Sequence, residues 1–204
     1  MQRNVICASL FFILALLLTA TIKSAIANYP IPQIEKNASS EGLARYKVQS
    51  NKASSEKNNE FGDYYYRLAY DDKIARELSL RMAADYYRAA IQSNPSKADY
   101  LVKLLYTKAR QGQVDGDFYS VYEAAFKRGG FEYHILRGLL EVGFSVWYAL
   151  DSDTKKYLEL VARRLYTFNS KAVLHVAMKY GQLNDICLWT ADMQPSLPLC
   201  RRVN

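Results

Sequence analysis

Ala83-Ala84-Asp85-Tyr86-Tyr87-Arg88-Ala89-Ala90-Ile91-Gln92-Ser93-Asn94-Pro95 is the stretch that decides the fold. Ala83, Tyr87 and Ala90 recur at spacings of four and three, which places them on one face of a helix. Small side chains at 83 and 90 let a neighbouring helix axis approach to about 8–10 Å. Tyr87 is expected to fill the gap between one helical pair and the next. Pro95 stops the helix, because the residue before a proline is pushed out of the helical region. The stretch reads as the second helix of a hairpin that stacks on others, with its Ala, Tyr and Pro positions occupied by packing.

The same spacing continues outward. From Phe61 onward the apolar spacing is three and four, not the alternation of a strand, so the domain is expected to be all-α. Helices are expected over 62–70, over 73–93 behind an Asp71-Asp72 cap, and over 97–111 with Gly112 as the stop. Further helices are expected over 115–127, ended by Gly129-Gly130, and over 131–149. The last three are expected over 154–167, capped within Asp151-Ser152-Asp153, over 170–180 behind Ser170, and over 183–191 after Gly181. The architecture implied is stacked antiparallel helical hairpins over residues 61–192, followed by a tail at 193–204.

Upstream the chain changes character. Residues 28–60 hold Pro30 and Pro32 and a tract rich in Asn, Ser, Lys and Glu, too poor in apolar residues to offset ordering entropy. They read as a disordered linker. Residues 1–27 read as a signal peptide: Arg3, the apolar run from Val5 to Ala20, then Ala25-Ile26-Ala27 before a cut at Asn28. The rival reading is an uncleaved inner-membrane anchor, favoured by Lys23, although the apolar run is shorter than the ~20 residues a span needs. Export, to a periplasmic location, is the expectation.

Charge and cysteines follow from that. The chain carries 27 Lys and Arg against 20 Asp and Glu. Loss of Arg3 and Lys23 leaves 25 against 20, a net charge of +5, spread along the chain. No dense basic run marks a nucleic-acid footprint, so no nucleic-acid partner is expected. Membrane contact is expected only through the signal segment, if that segment is uncleaved. Cys187 and Cys200 remain, an even pair in an oxidising compartment, and are expected to form a disulfide. With two cysteines and no nearby histidine, no metal site is expected there.

Ala83, Tyr87, Ala90 and Pro95 resemble the second helix of a tetratricopeptide repeat. Ala98, Leu101, Leu104 and Gly112 match the first helix and turn of the next repeat. Phe118, Tyr122 and Ala125 match its second helix after a one-residue insertion, while Arg67, Tyr70, Asp71 and Ile74 fit the earlier first helix poorly. Residues 131–192 are similar, more loosely, to exported proteins associated with bacterial exopolysaccharide biosynthesis. The matching segment is Ile135-Leu136-Arg137-Gly138-Leu139-Leu140-Glu141-Val142-Gly143, then Trp147, Leu150 and Ala162-Arg163-Arg164. These resemblances imply a partner-binding helical scaffold and bring no catalytic residues or cofactor with them.

Chemistry-bearing motifs are sparse. There is no G-x-S-x-G, P-loop, H-E-x-x-H or C-x-x-C. His134 and His175 lie in apolar contexts and read as core or groove histidines. Glu141 and Glu159 could be imagined as a glycosidase pair, but most acids sit at caps and exposed helix positions. Seventeen tyrosines are more conspicuous. Neighbours on a helix are about 100° apart, so Tyr64, Tyr65 and Tyr66 cannot all be buried. Tyr65, Arg67, Tyr86 and Arg88 are the expected partner-facing residues. The helix containing Trp147 is apolar nearly all round, so it is central or docks on another protein; Arg163-Arg164 and Arg201-Arg202 read as solvated faces. The sequence therefore points to a non-catalytic exported scaffold for an envelope protein partner. A carbohydrate-binding module or polysaccharide-modifying enzyme is the alternative.

Overall fold

The computed structural model describes residues 53–71, 75–193 and 200. The expected signal segment, most of the expected linker and Arg201-Arg202 lie outside these residues. Among the described residues there are seven α-helices, one 3-10 turn and no strand. They are α1 (Ser55–Asp71), α2 (Arg76–Ser93), α3 (Ala98–Arg110), α4 (Gly116–Gly129), α5 (Tyr133–Ser145), α6 (Ser152–Tyr180) and α7 (Leu183–Trp189), with the 3-10 turn Trp147–Ala149 between α5 and α6. No helix of the described residues is long and apolar enough to cross a membrane.

Each helix packs on the next in the chain, and α3 also packs on α5 and α4 on α6. A contiguous apolar core runs from Ala98 in α3 to Ile186 in α7, centred on Leu105, Phe118, Tyr122, Leu136, Leu139, Leu158 and Leu165. The α1–α2 seam is different in composition: it buries Tyr65, Ala69, Ala83, Tyr86, Tyr87 and Ala90. Tyr87 packs between α1 and α3, with Lys103 Nζ 6.0 Å from the centre of its ring. Its ring lies on Gly62 of α1, where an added Cβ would come within 2.5 Å of it.

Several corners follow their local chemistry. Asp115 accepts from Phe118 N at 2.9 Å and caps α4; Asp151 accepts from Thr154 N at 2.7 Å and caps α6. Gly112 and Gly181, with φ of 70° and 71°, follow α3 and α6 in the left-handed conformation that ends helices. Lys108, 2 % exposed, reaches Asp117 at 2.9 Å and Asp115 at 3.1 Å. That ion pair fixes the α3–α4 turn.

Other boundaries differ from expectation. Helix α1 starts at Ser55 and not near Gly62, because Ser54 Oγ accepts from Lys57 N at 3.3 Å and caps a polar first turn. Helix α5 ends at Ser145, whose hydroxyl turns back to donate to Val142 O at 2.7 Å. Trp147 therefore sits in the 3-10 turn, half-buried against Phe144 at 5.9 Å and Trp189 at 5.7 Å, while Tyr148 is 93 % exposed. The two helices expected over 154–167 and 170–180 meet at Asn169, whose φ of −159° and ψ of 90° break the helix. Asn169, not Ser170, caps the second segment by accepting from Ala172 N at 3.0 Å.

The arginines of α6 are not a solvated face. Arg163 holds Asp192 through two hydrogen bonds of 2.7 Å and also bonds Trp189 O. Arg164 lies between the rings of Phe126 and Phe131, at 4.7 and 4.4 Å, and donates to Gly130 O. Cys187 and Cys200 form a disulfide with Cα atoms 5.3 Å apart.

Candidate functional site

Three helices carry matching polar and aromatic stripes. On α1 the stripe is Asn59, Asp63, Tyr66 and Tyr70; on α3 it is Asp99, Lys103, Tyr106 and Arg110; on α5 it is His134, Arg137 and Glu141. Spacings of three and four place each set on one helix face. Contacts between helices join the stripes into one surface. Lys103 Nζ donates to Asn59 Oδ1 at 2.9 Å and to Asp63 Oδ2 at 2.8 Å. The Arg110 guanidinium lies 3.5 Å from the centre of the Tyr70 ring and 5.0 Å from that of Tyr66. His134 Nε2 is 3.1 Å from Asp99 Oδ1, and Tyr106 Oη donates to Glu141 Oε2 at 3.0 Å.

Gly138 makes the α3–α5 approach possible: a Cβ there would lie 2.7 Å from Val102 Cγ1. That close contact brings Tyr106 and Glu141 together. Glu141 also accepts from Arg137 Nε at 3.1 Å, so its charge is balanced within the face. The end of α6 adds to the same neighbourhood. Lys179 sits 4.9 Å from the centre of the Tyr180 ring and feels the charges of Glu141 and Arg137.

The protonation states are simple. Burial, then the Glu141 charge, holds Tyr106 well above the ordinary phenol range. Burial, then hydrogen bonding with Tyr70, does the same to Tyr66. Arg137 is raised by Glu141, and Lys179 first by Tyr180. The phenols of Tyr66 and Tyr106 are therefore neutral donors at pH 7, beside permanently charged cations. Arg67, Arg110 and Lys179 form no ion pair among the described residues. Such a face presents flat rings beside unpaired positive charge.

The residues expected to face a partner are placed differently. Tyr65 is 2 % and Tyr86 3 % exposed, and their rings stack at 5.7 Å with 15° between planes. These two rings are interior because each falls on the side of its helix that meets the other helix, so they are not available on the surface. Arg88 is engaged with Asp85 at 3.2 Å and Asp117 at 3.7 Å, bridging α2 to α4. Arg67 alone of the four is exposed and borders the face, donating to Asp63 O at 3.2 Å. Of the tyrosine triplet, Tyr64 is 40 % exposed, and it is Tyr66 that reaches the face. The signal in the sequence that finds this surface is the pairing of Tyr66-Tyr70 with Tyr106-Arg110 and Arg137-Glu141, each at i,i+4.

The histidines are also placed differently. Both are exposed; His134 pairs with Asp99 and lies 3.6 Å from Glu132, two residues away. Among the described residues no group of three His, Cys, Asp or Glu side chains is arranged to hold a metal ion. No protein-family model, curated protein or solved structure matches this chain.

Proposed function

We propose that this protein is a non-catalytic exported scaffold or accessory protein that holds an acidic, extended segment of a partner protein along the α1–α3–α5 face. The observation that carries the reading is Arg110 set 3.5 Å from the centre of the Tyr70 ring, beside Tyr66, with Arg67 and Lys179 also lacking an acidic partner among the described residues. A guanidinium stacked on a ring keeps its edge free to grip a carboxylate in two places. Arg110 Nη1, covered at present, makes no hydrogen bond among the described residues, so rotation of the 62 % exposed Tyr70 ring would give an incoming carboxylate a waiting donor. The tetratricopeptide-like reading of residues 83–112 supports a binding role for helix faces of this kind. The exopolysaccharide setting rests on the resemblance of residues 131–192 alone.

The competing reading is a carbohydrate-binding module, favoured by the exposed rings of Tyr70 and Tyr133. Fluorescence anisotropy of the chain beginning at Asn28, against acidic and basic labelled peptides, separates the two. The acidic peptide is expected to bind, more weakly as salt rises, and at least tenfold more weakly to Arg110→Gln. Retardation by purified polysaccharide in affinity gels, with neither peptide bound, would replace the scaffold reading with the carbohydrate one. Polymer output of a strain lacking the protein tests the exopolysaccharide setting separately.

A further inference from the structure

The break in α6 opens a second feature, remote in sequence from the α1–α3 stripes and independent of the reading above. Beside Asn169 lies a cavity of about 420 Å³ lined by residues 166–171 and Met193. That volume falls within the range of small-molecule sites, about 300–1,000 Å³. We propose that this cavity binds a small organic anion, a carboxylate or phosphate carried on a body the size of a sugar ring.

Two independent observations carry this. The first is an unused donor. Tyr166 lines the cavity, is 5 % exposed, and its buried hydroxyl has no hydrogen-bond partner among the described residues. Buried hydroxyls are ordinarily paired, so a ligand that seats in the cavity and shifts the cover over this hydroxyl gains a hydrogen bond that the described residues leave unmade. Burial keeps its pKa above the ordinary phenol value, which leaves it an O–H donor at neutral pH.

The second is charge. Asn169 begins a new helical segment over 170–180 and caps its third residue, Ala172. The start of that segment, with its partial positive charge, opens onto the cavity beside Lys171. Asp192, the carboxylate next to Met193, is neutralised by its paired bonds from Arg163 and does not repel an anion. The hydroxyls of Thr167 and Ser170 and the amide of Asn169 supply polar contacts for a body rich in hydroxyls, and the Phe168 ring, 56 % exposed, supplies an apolar face.

The test is isothermal titration of the chain beginning at Asn28 with glucuronate, glucose 6-phosphate and glucose. Binding of at least one of the two anions, tenfold or more tighter than glucose, is the expected result. Which anion binds more tightly distinguishes a carboxylate ligand from a phosphate ligand. Lys171→Gln and Tyr166→Phe should each weaken binding at least fivefold while leaving the melting temperature within a degree or two. Lys171 is exposed, so its variant carries the test even if the Tyr166 variant folds poorly. No anion binding, binding of glucose as tight as that of the anions, or affinity unchanged in the Lys171 variant would overturn the proposal.

Discussion

The Tyr87 hydroxyl donates to Asp63 Oδ1 at 2.7 Å, joining α2 to α1, while the other oxygen of the same carboxylate accepts from Lys103 of α3 at 2.8 Å. One acid thus serves three helices. Removing the Tyr87 hydroxyl takes away one of its bonds, and removing Asp63 leaves both donors without it. Tyr87→Phe should cost about 1 kcal/mol, and Asp63→Ala about 2 kcal/mol or more. Urea unfolding followed by circular dichroism measures both; equal losses would mean that Lys103 gains nothing from Asp63.

Directly beneath that hydroxyl, Gly62 sits under the Tyr87 ring. In an unconstrained helix Gly→Ala stabilises by about 1 kcal/mol. Here the added methyl would lie 2.5 Å from Tyr87 Cε1, and overpacking costs about 1–3 kcal/mol. Gly62→Ala should therefore destabilise, by about 1–2 kcal/mol. A rise in the urea midpoint would show that α1 and α2 are not in such close contact.

Alkaline stability follows from the buried phenols. Burial raises Tyr65 to about 12, and Tyr66, Tyr86, Tyr87, Tyr106 and Tyr122 further still. A folded pKa above the unfolded value of about 10 means that between them the unfolded chain binds fewer protons, so stability falls as pH rises. The melting temperature should be level below pH 9 and drop steeply above pH 10. Absorbance at 295 nm should show these buried phenols ionising only as the chain unfolds. A single smooth titration of all phenols in the folded state would contradict the burial.

The Cys187–Cys200 bond closes a loop of sequence separation 13. On the chain-entropy account such a closure stabilises by about 3 kcal/mol. The double variant Cys187→Ala/Cys200→Ala should lose about that much. Trp189, stacked with Phe144 and close to Trp147, should then shift its fluorescence to the red as α7 loosens. Identical denaturation midpoints with and without reductant would mean that the bridge holds nothing the core does not already hold.

The helical class was legible because apolar spacing and corner residues agree. Pro95, Gly112, Asp115, Asp151 and Gly181 each act locally, and each stands where its own chemistry puts it. What escaped depends on competition between local signals. Ser54 caps α1 within a stretch whose composition reads as linker. Ser145 ends α5 as the one polar residue in the otherwise apolar run Phe144-Ser145-Val146-Trp147, with no glycine or proline beside it to mark a stop. The placement of the tyrosines escaped for a tertiary reason: consecutive Tyr64, Tyr65 and Tyr66 point three ways, and only the docking of α2 and α3 decides that Tyr65 is buried while Tyr66 meets Arg110. Arg163 and Arg164 likewise look solvent-directed until Asp192 and the two phenylalanines arrive from distant parts of the chain.

Asn169 turns the chain with one pair of dihedral angles, where other corners of this molecule use a loop of several residues. The direction taken by residues 170–180, and with it the position of Lys179 and Tyr180, is consequently inherited from a single side chain and the bond it makes to Ala172. Residues 170–193 carry Val173, Leu174, Val176, Ala177 and Ile186 into the core, so a substitution that straightened the kink would draw these side chains out of it. The kink thus ties one residue's dihedral angles to the packing of the whole terminal segment.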